Sequence, residues 1–260
     1  MNHSKARSVM AHRGGYEGDV MVCKMLGPVF RIVNLRACRI SGLESPDNKK
    51  YVKKGTVNKN KLDNNISRAK TIVRELALCN TWDKWCTFTI DGSKRDRFDL
   101  NVYYKQFAKF INNYNRYCSE SEKVSYLLVP EKHADGAWHI HGLLNGIKEK
   151  DIVPNKNGYL TWKQYQDKFG FFSFEPVRNQ EACAHYILKY ITKDMVRSVS
   201  DVGAHLYYSS NGLKRSEVVF KGRGKLNCQF DYESDYVKIK EFDCSVVDPF
   251  IFFEPTEVLR

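Results

Sequence analysis

No stretch of the 260-residue chain approaches the about 20 consecutive apolar residues of a membrane span. A bilayer-crossing helix is therefore excluded. The opening residues, Met1 to Arg7, are polar and lack the apolar core of a secretory signal. The eight cysteines form no Cys-x-x-Cys pair and no zinc-ribbon spacing. Several sit within apolar runs, as in Met21-Val22-Cys23, which predicts buried free thiols in a reducing compartment. A cytoplasmic protein with no membrane partner is expected. Gly-x-x-x-x-Gly-Lys-Ser/Thr is also absent, and Gly222-Arg223-Gly224-Lys225 is too short to replace it. That excludes a phosphate-cradling motor of the common kind. Negative charge is in deficit: 30 Asp and Glu stand against 42 Lys and Arg, leaving a net +12. Such a balance points to nucleic acid or another anionic surface as partner.

What is present gathers in Glu131-Lys132-His133-Ala134-Asp135-Gly136-Ala137-Trp138-His139-Ile140-His141. A β-rich run, Val124 to Val129, precedes it, and the apolar Leu143 and Leu144 follow. Asp135-Gly136 between them is a strong hairpin-turn dipeptide. Two antiparallel strands are predicted to meet there. Side chains alternate along a strand, so His139 and His141 share one face and Ile140 points into a core. Glu131 reaches the same face if the register allows, and His133 is in phase with it unless the turn carries it to solvent. Two imidazoles and a carboxylate with positions left open suit a catalytic divalent metal. A bare His-x-His also arises as a structural pair.

The chain order predicts an α+β protein with a central, largely antiparallel sheet. Residues 1–18 read as a basic arm, and Val20–Cys23 and Val29–Val33 as a hairpin turning at Gly27-Pro28. Ser45–Asn64 reads as a basic loop. A helix is expected from Asn65, with Ile66, Ala69, Val73, Leu76 and Ala77 on one face. Trp85–Asp91 is a central strand. Asp99 or Asn101 caps a helix carrying Phe107, Phe110 and Ile111. After the hairpin come a short helix over Trp162–Phe169 and a strand over Phe171–Val177. Cys228–Arg260 reads as one or two edge strands and a tail ending after Pro255.

Asn179 to Val196 is predicted to be one helix capped by Asn179. At about 100° per residue, Ala184, Ile187, Leu188, Ile191 and Met195 form its buried face. Tyr186, Lys189, Tyr190 and Lys193 form a separate stripe. Taken alone, that stripe also suits tyrosines straddling a core edge beside solvated lysines. Beside the histidines it suits catalysis, because a tyrosine can act as a covalent nucleophile and a lysine can meet phosphate charge.

The His139-Ile140-His141 pattern followed by Tyr-x-x-Lys resembles the HUH endonuclease superfamily, and within it the rolling-circle replication initiators of phages, plasmids and small single-stranded DNA viruses. The Glu131–His141 stretch is similar to the second motif of viral initiators. Tyr186-x-x-Lys189-Tyr190-x-x-Lys193 resembles the two-tyrosine motif of phage gene A-type initiators. Phe88-Thr89-Ile90-Asp91 stands where the family has its first motif. The histidines precede the tyrosines, as in initiators and unlike conjugative relaxases. The resemblance implies an RRM-like palm with flanking helices. It implies Mg²⁺ or Mn²⁺ held by Glu131, His139 and His141. It further implies that Tyr186 or Tyr190 attacks single-stranded origin DNA or an origin hairpin, forming a 5′-phosphotyrosine and freeing a 3′-OH. The flanking lysines favour Tyr190 as the essential one. Host helicase and polymerase are the implied partners.

The resulting division is an N-terminal arm, hairpin and helix over 1–80, a nicking core over 81–225, and C-terminal strands and tail over 226–260, together one compact domain. Tyr207, Tyr208, Lys214 and Arg215 mix aromatics with basic groups, as single-stranded DNA binding requires, although a strand and turn packed on the sheet explains them equally. Three alternatives stand beside the initiator. One is a single-tyrosine transposase of the same superfamily. Another is a non-catalytic nucleic-acid-binding protein. The third is a histidine nucleotide hydrolase, against which Leu143 replaces the third alternating His.

Overall fold

The computed structural model describes residues 16–17, 19–36, 38–39, 59–201 and 204–259. In chain order its strands are β1 (Tyr16–Glu17), β2 (Val20–Leu26), β3 (Val29–Leu35), β4 (Cys38–Arg39), β5 (Lys84–Thr89), β6 (Ser125–Lys132), β7 (Trp138–Asn145), β8 (Ile152–Pro154), β9 (Leu160–Trp162), β10 (Phe172–Pro176), β11 (Tyr208–Ser209), β12 (Glu217–Leu226), β13 (Tyr232–Glu233), β14 (Val237–Asp243) and β15 (Phe253–Val258). Its α-helices are α1 (Lys59–Cys79), α2 (Leu100–Asn115), α3 (Lys163–Lys168), α4 (Gln180–Tyr186) and α5 (Lys193–Asp201). All strand pairs among the described residues are antiparallel, so the expected α+β class with a largely antiparallel sheet holds. No helix among the described residues is long and apolar enough to cross a membrane. Most of the basic arm expected over 1–18 and most of the basic loop expected over 45–64 lie outside the described residues, but Tyr16–Glu17 at the end of the arm form β1, paired with β4. The loop's last residues, from Lys59, belong to α1.

The chain forms two units, 57–214 and the pair of segments 1–56 with 215–260. In the second unit, the β2–β3 hairpin turns at Gly27, whose φ of 58° suits a glycine. It joins a six-stranded sheet in the order β13-β14-β3-β2-β12-β15. Alternate residues Met21, Cys23, Phe30 and Ile32 face a core shared with Phe242 and Phe253. Here the C-terminal expectation needs correction. β14 is an interior strand, paired with β3 along its whole length, and β15 continues through Pro255. Proline is tolerated because β15 is an edge strand and the register shifts at Arg223/Gly224. Gly222 is required by this pairing: a Cβ there would lie 1.9 Å from the Glu257 carbonyl oxygen.

The unit 57–214 holds a five-stranded sheet ordered β10-β5-β7-β6-β11. β7 is central because Ile140, Leu143 and Leu144 are buried and it has a partner on each edge. α2 covers one face. Asp99 caps it by accepting from the Val102 N–H at 2.9 Å, and Phe107 meets Phe88 at 5.5 Å. The opposite face carries α1, α4 and the turn that follows α4. Ala69, Val73, Leu76 and Ala77 of α1 are buried, as their helical spacing predicts.

Candidate active site

The β6–β7 hairpin builds the first half of the site. Its register places Glu131 opposite His139 and Val129 opposite His141. Directly opposed residues of an antiparallel pair share a face, and so do residues two apart on one strand. Glu131, His139 and His141 therefore share a face by backbone geometry alone. The Glu131 Oε2 to His141 Nε2 distance is 2.7 Å. β5 adds Thr87, paired with His141, whose Oγ1 lies 3.1 Å from His141 Nδ1. With Nε2 donating to the carboxylate, Nδ1 accepts from the Thr87 hydroxyl. His133 stays on this face: its ring stacks on His139 at 3.7 Å, and its Nε2 is 3.8 Å from Glu131 Oε2.

Burial pushes the His139 pKa below its ordinary value, and the neighbouring imidazoles His133 and His141 add to the shift. Burial does the same for His141, outweighing the attraction of Glu131. Both rings are thus biased towards the neutral form, the form that ligates metals. One carboxylate and two imidazoles, one braced from behind by a hydroxyl, fit a divalent ion in donor type. Among the described residues no three such groups are already gathered around a common point.

The second half of the site departs from the single helix expected over 179–196. Asn179 does cap α4, accepting from the Ala182 N–H at 2.9 Å. The helix then tightens into a 3-10 turn over Ile187–Tyr190, and Ile191 leaves helical geometry. The cause is a second cap: the Thr192 hydroxyl accepts from the Met195 N–H at 3.1 Å and starts α5. A cap residue needs a non-helical backbone, so the chain cannot run straight through it. Residues three apart eclipse in a 3-10 turn. Tyr190 therefore follows buried Ile187 onto the sheet rather than staying in line with Tyr186.

The result is an unequal tyrosine pair. Tyr190 stacks on His141 at 4.0 Å with planes 15° apart. Tyr186 is 48% exposed, 5.9 Å from Tyr190 between ring centroids. Trp85 of β5 meets the Tyr186 ring edge-on at 5.0 Å. Lys189 places its ammonium 3.4 Å from the Tyr186 ring centroid and 4.9 Å from that of Tyr190. Hydrogen bonds from Lys189 and Tyr190 hold the Tyr186 hydroxyl below its usual pKa. Burial, then the hydrogen bond to Tyr186, pushes Tyr190 up. Lys193 is exposed at the start of α5.

The remaining expected DNA contacts separate. Tyr208 is only 5% exposed; it pairs with Leu128 as an edge strand, and its ring stacks on Tyr104 at 3.7 Å. That face of the Tyr208 ring is not open to a base. Tyr207 is half-buried beside it. Lys214 is exposed, its backbone clamped by the Asn80 side chain at 2.9 and 3.0 Å. Arg215 is exposed and begins the C-terminal segment of the other unit. Sequence reasoning missed Thr87 and Trp85. Their signal was the period-2 alternation of β5, which places 85, 87 and 89 on the face opposite Phe88.

No curated protein and no solved structure matches the chain. Residues 83–195, which include both halves of this site from Trp85 to Lys193, match a family model of replication-associated proteins.

Proposed function

We propose that the protein initiates replication by nicking and rejoining single-stranded origin DNA through a covalent tyrosine intermediate. The observation that carries this reading is Tyr190 stacked on His141, with Tyr186 and Lys189 beside it. Candidate nucleophiles, a cation and a His/Glu cluster thus meet on one sheet face. The replication-associated family match over the same residues supports it.

Tyr186 makes the first attack in this reading. Tyr186 is the exposed member of the pair, with the Lys189 ammonium 3.4 Å from its ring, whereas Tyr190 is half-buried against His141, so an incoming phosphate reaches Tyr186 first. This reverses the preference for Tyr190 drawn from lysine spacing. The Tyr186 oxygen bonds to the scissile phosphorus, and the bond from phosphorus to the 3′ oxygen breaks. The DNA 5′ phosphate stays on tyrosine, and the 3′ oxygen leaves as a hydroxyl after taking up a proton. Lys189 meets the phosphate charge and keeps Tyr186 polarised. Tyr190 holds the Tyr186 hydroxyl and accepts the strand in the rejoining step. Thr87 orients His141. Glu131, His139 and His141 would hold Mg²⁺ or Mn²⁺, which would polarise the phosphate.

Incubating the protein with a labelled single-stranded origin oligonucleotide and Mn²⁺, followed by denaturing electrophoresis, tests this. A covalent adduct is expected, abolished by chelation and by His139→Ala. Mass spectrometry should place it on Tyr186. Tyr186→Phe should reduce the adduct more than Tyr190→Phe, and the double variant should form none. An adduct surviving in the double variant would sink the mechanism.

A further inference from the structure

A cleft of about 510 Å³ opens in the unit 57–214, between the first half of α1 and the edge strand β11. That volume falls within the roughly 300–1000 Å³ of small-ligand sites. Asn65 and Arg68 line it from α1, Tyr104 from α2, and His205, Tyr207 and Tyr208 from the segment ending in β11. The stacked Tyr104–Tyr208 pair gives it an aromatic wall, with the His205 ring edge-on to Tyr208 at 5.7 Å. Arg68 and Asn65 are exposed on the facing helix. No carboxylate lines the cleft among the described residues, so its charge is positive. Aromatic surface, an amide and an unopposed guanidinium together match a nucleotide: a flat base, its polar edge and its phosphate.

We infer that this cleft holds one nucleotide of the single strand, outside the scissile linkage. The inference rests on the reading of the protein as a single-strand nuclease and adds a subsite to it. The base packs against Tyr207 and the neighbouring aromatic wall, Asn65 meets the base edge, and Arg68 meets the phosphate. The cleft lies beyond β6 at the β11 edge of the sheet, while the histidines stand on central β7. A nucleotide held there gives the protein a grip on the strand away from the cut.

The test is binding without cleavage. Anisotropy of a fluorescein-labelled thymidine oligonucleotide is measured with the full chain in EDTA. Tyr207→Ala should weaken binding about tenfold, as loss of one stacked base does, while Tyr207→Phe retains it. Arg68→Ala should weaken binding and reduce the slope of log affinity against log salt by about one. An unchanged affinity and slope in both variants would overturn the proposal. A 5-iodouracil oligonucleotide cross-linked to the wild-type chain provides a measurement that needs no variant. Adducts on Tyr207 or His205 are expected, and excess thymidine monophosphate should not suppress them. Adducts only elsewhere, or suppression by the free nucleotide, would overturn a strand subsite. The two readings are separated by assaying the Tyr186→Phe, Tyr190→Phe double variant with Mn²⁺ and an unmodified oligonucleotide. If it still forms a covalent phosphotyrosine-type adduct, the nuclease assignment fails, while the cleft assignment stands or falls on the anisotropy of the Tyr207 and Arg68 variants and on the wild-type cross-links.

Discussion

At the scale of single residues, the site depends on groups that act on other groups. Thr87 touches only the far nitrogen of His141, yet that contact selects which imidazole nitrogen faces the cluster. Thr87→Val keeps the shape of the side chain and removes the hydroxyl. It should weaken Mn²⁺ binding about 10-fold to 100-fold, the usual effect of losing such a supporting contact, and calorimetry would measure it. Unaltered affinity would make Thr87 a bystander. Cys23 shows a different residue-scale effect. Its thiol has an ordinary pKa of 9.0 and is pushed up to about 12 by burial. Between those values the unfolded chain has lost a proton that the folded chain keeps. Stability from this group is intact below the unfolded value and falls as pH rises through the window. Between neutral pH and about pH 10, denaturant melts should therefore lose less stability in Cys23→Ala than in wild type. Equal losses would contradict the burial argument.

At the scale of elements, the decisive feature is the break between α4 and α5. Buried Ala184, Ile187, Ile191 and Met195 keep the spacing of one helix, and that pattern hides the interruption. Thr192 with Asp194 two residues on is a start signal that competes with continuation. Thr192→Ala removes the cap and should cost about 1 kcal/mol in urea melts. It should also slow adduct formation beyond what that loss explains, because a straighter helix draws Tyr190 away from His141. A variant with lowered stability and a wild-type rate would show that the 3-10 turn is not held by the cap. The β6–β7 hairpin behaves differently. Its turn dipeptide and its alternation agree, and a one-residue slip would turn Ile140 out and the histidines in. Gly142 reinforces that register: a Cβ there would lie 2.4 Å from the Leu127 carbonyl oxygen.

At the scale of the whole molecule, charge governs association. A net +12 predicts single-stranded DNA binding that weakens steeply with salt, with a log–log slope of roughly 0.7 per phosphate contacted. Anisotropy titrations across a salt series would measure it, and a flat profile would argue against a phosphate-tracking surface. Two units share this charge. Residues that are far apart in the chain form the six-stranded sheet: β2 and β3 from the N-terminal side, β12 to β15 from the C-terminal side. The candidate site residues lie wholly within the continuous stretch 57–214.

The sequence by itself determined the α+β class, the hairpin, the shared face of His139 and His141, and the cap at Asn179; it left the other cap open between Asp99 and Asn101, and the structure chose Asp99. These are local or period-2 and period-3.6 features, set by backbone geometry within a few residues. The placement of Glu131 was also legible once the turn was located, because a two-strand register follows from it. The tertiary structure alone decided the rest. Which strand flanks β7 brought Thr87 and Trp85 to the site. Which of two overlapping helix signals prevails set Tyr190 on His141 and left Tyr186 exposed. Whether Tyr208 is a binding surface or a wall depended on Tyr104, far away in the chain. Each of these outcomes rests on contacts between segments with no local code, where burial of one residue's partners outweighs its own propensity.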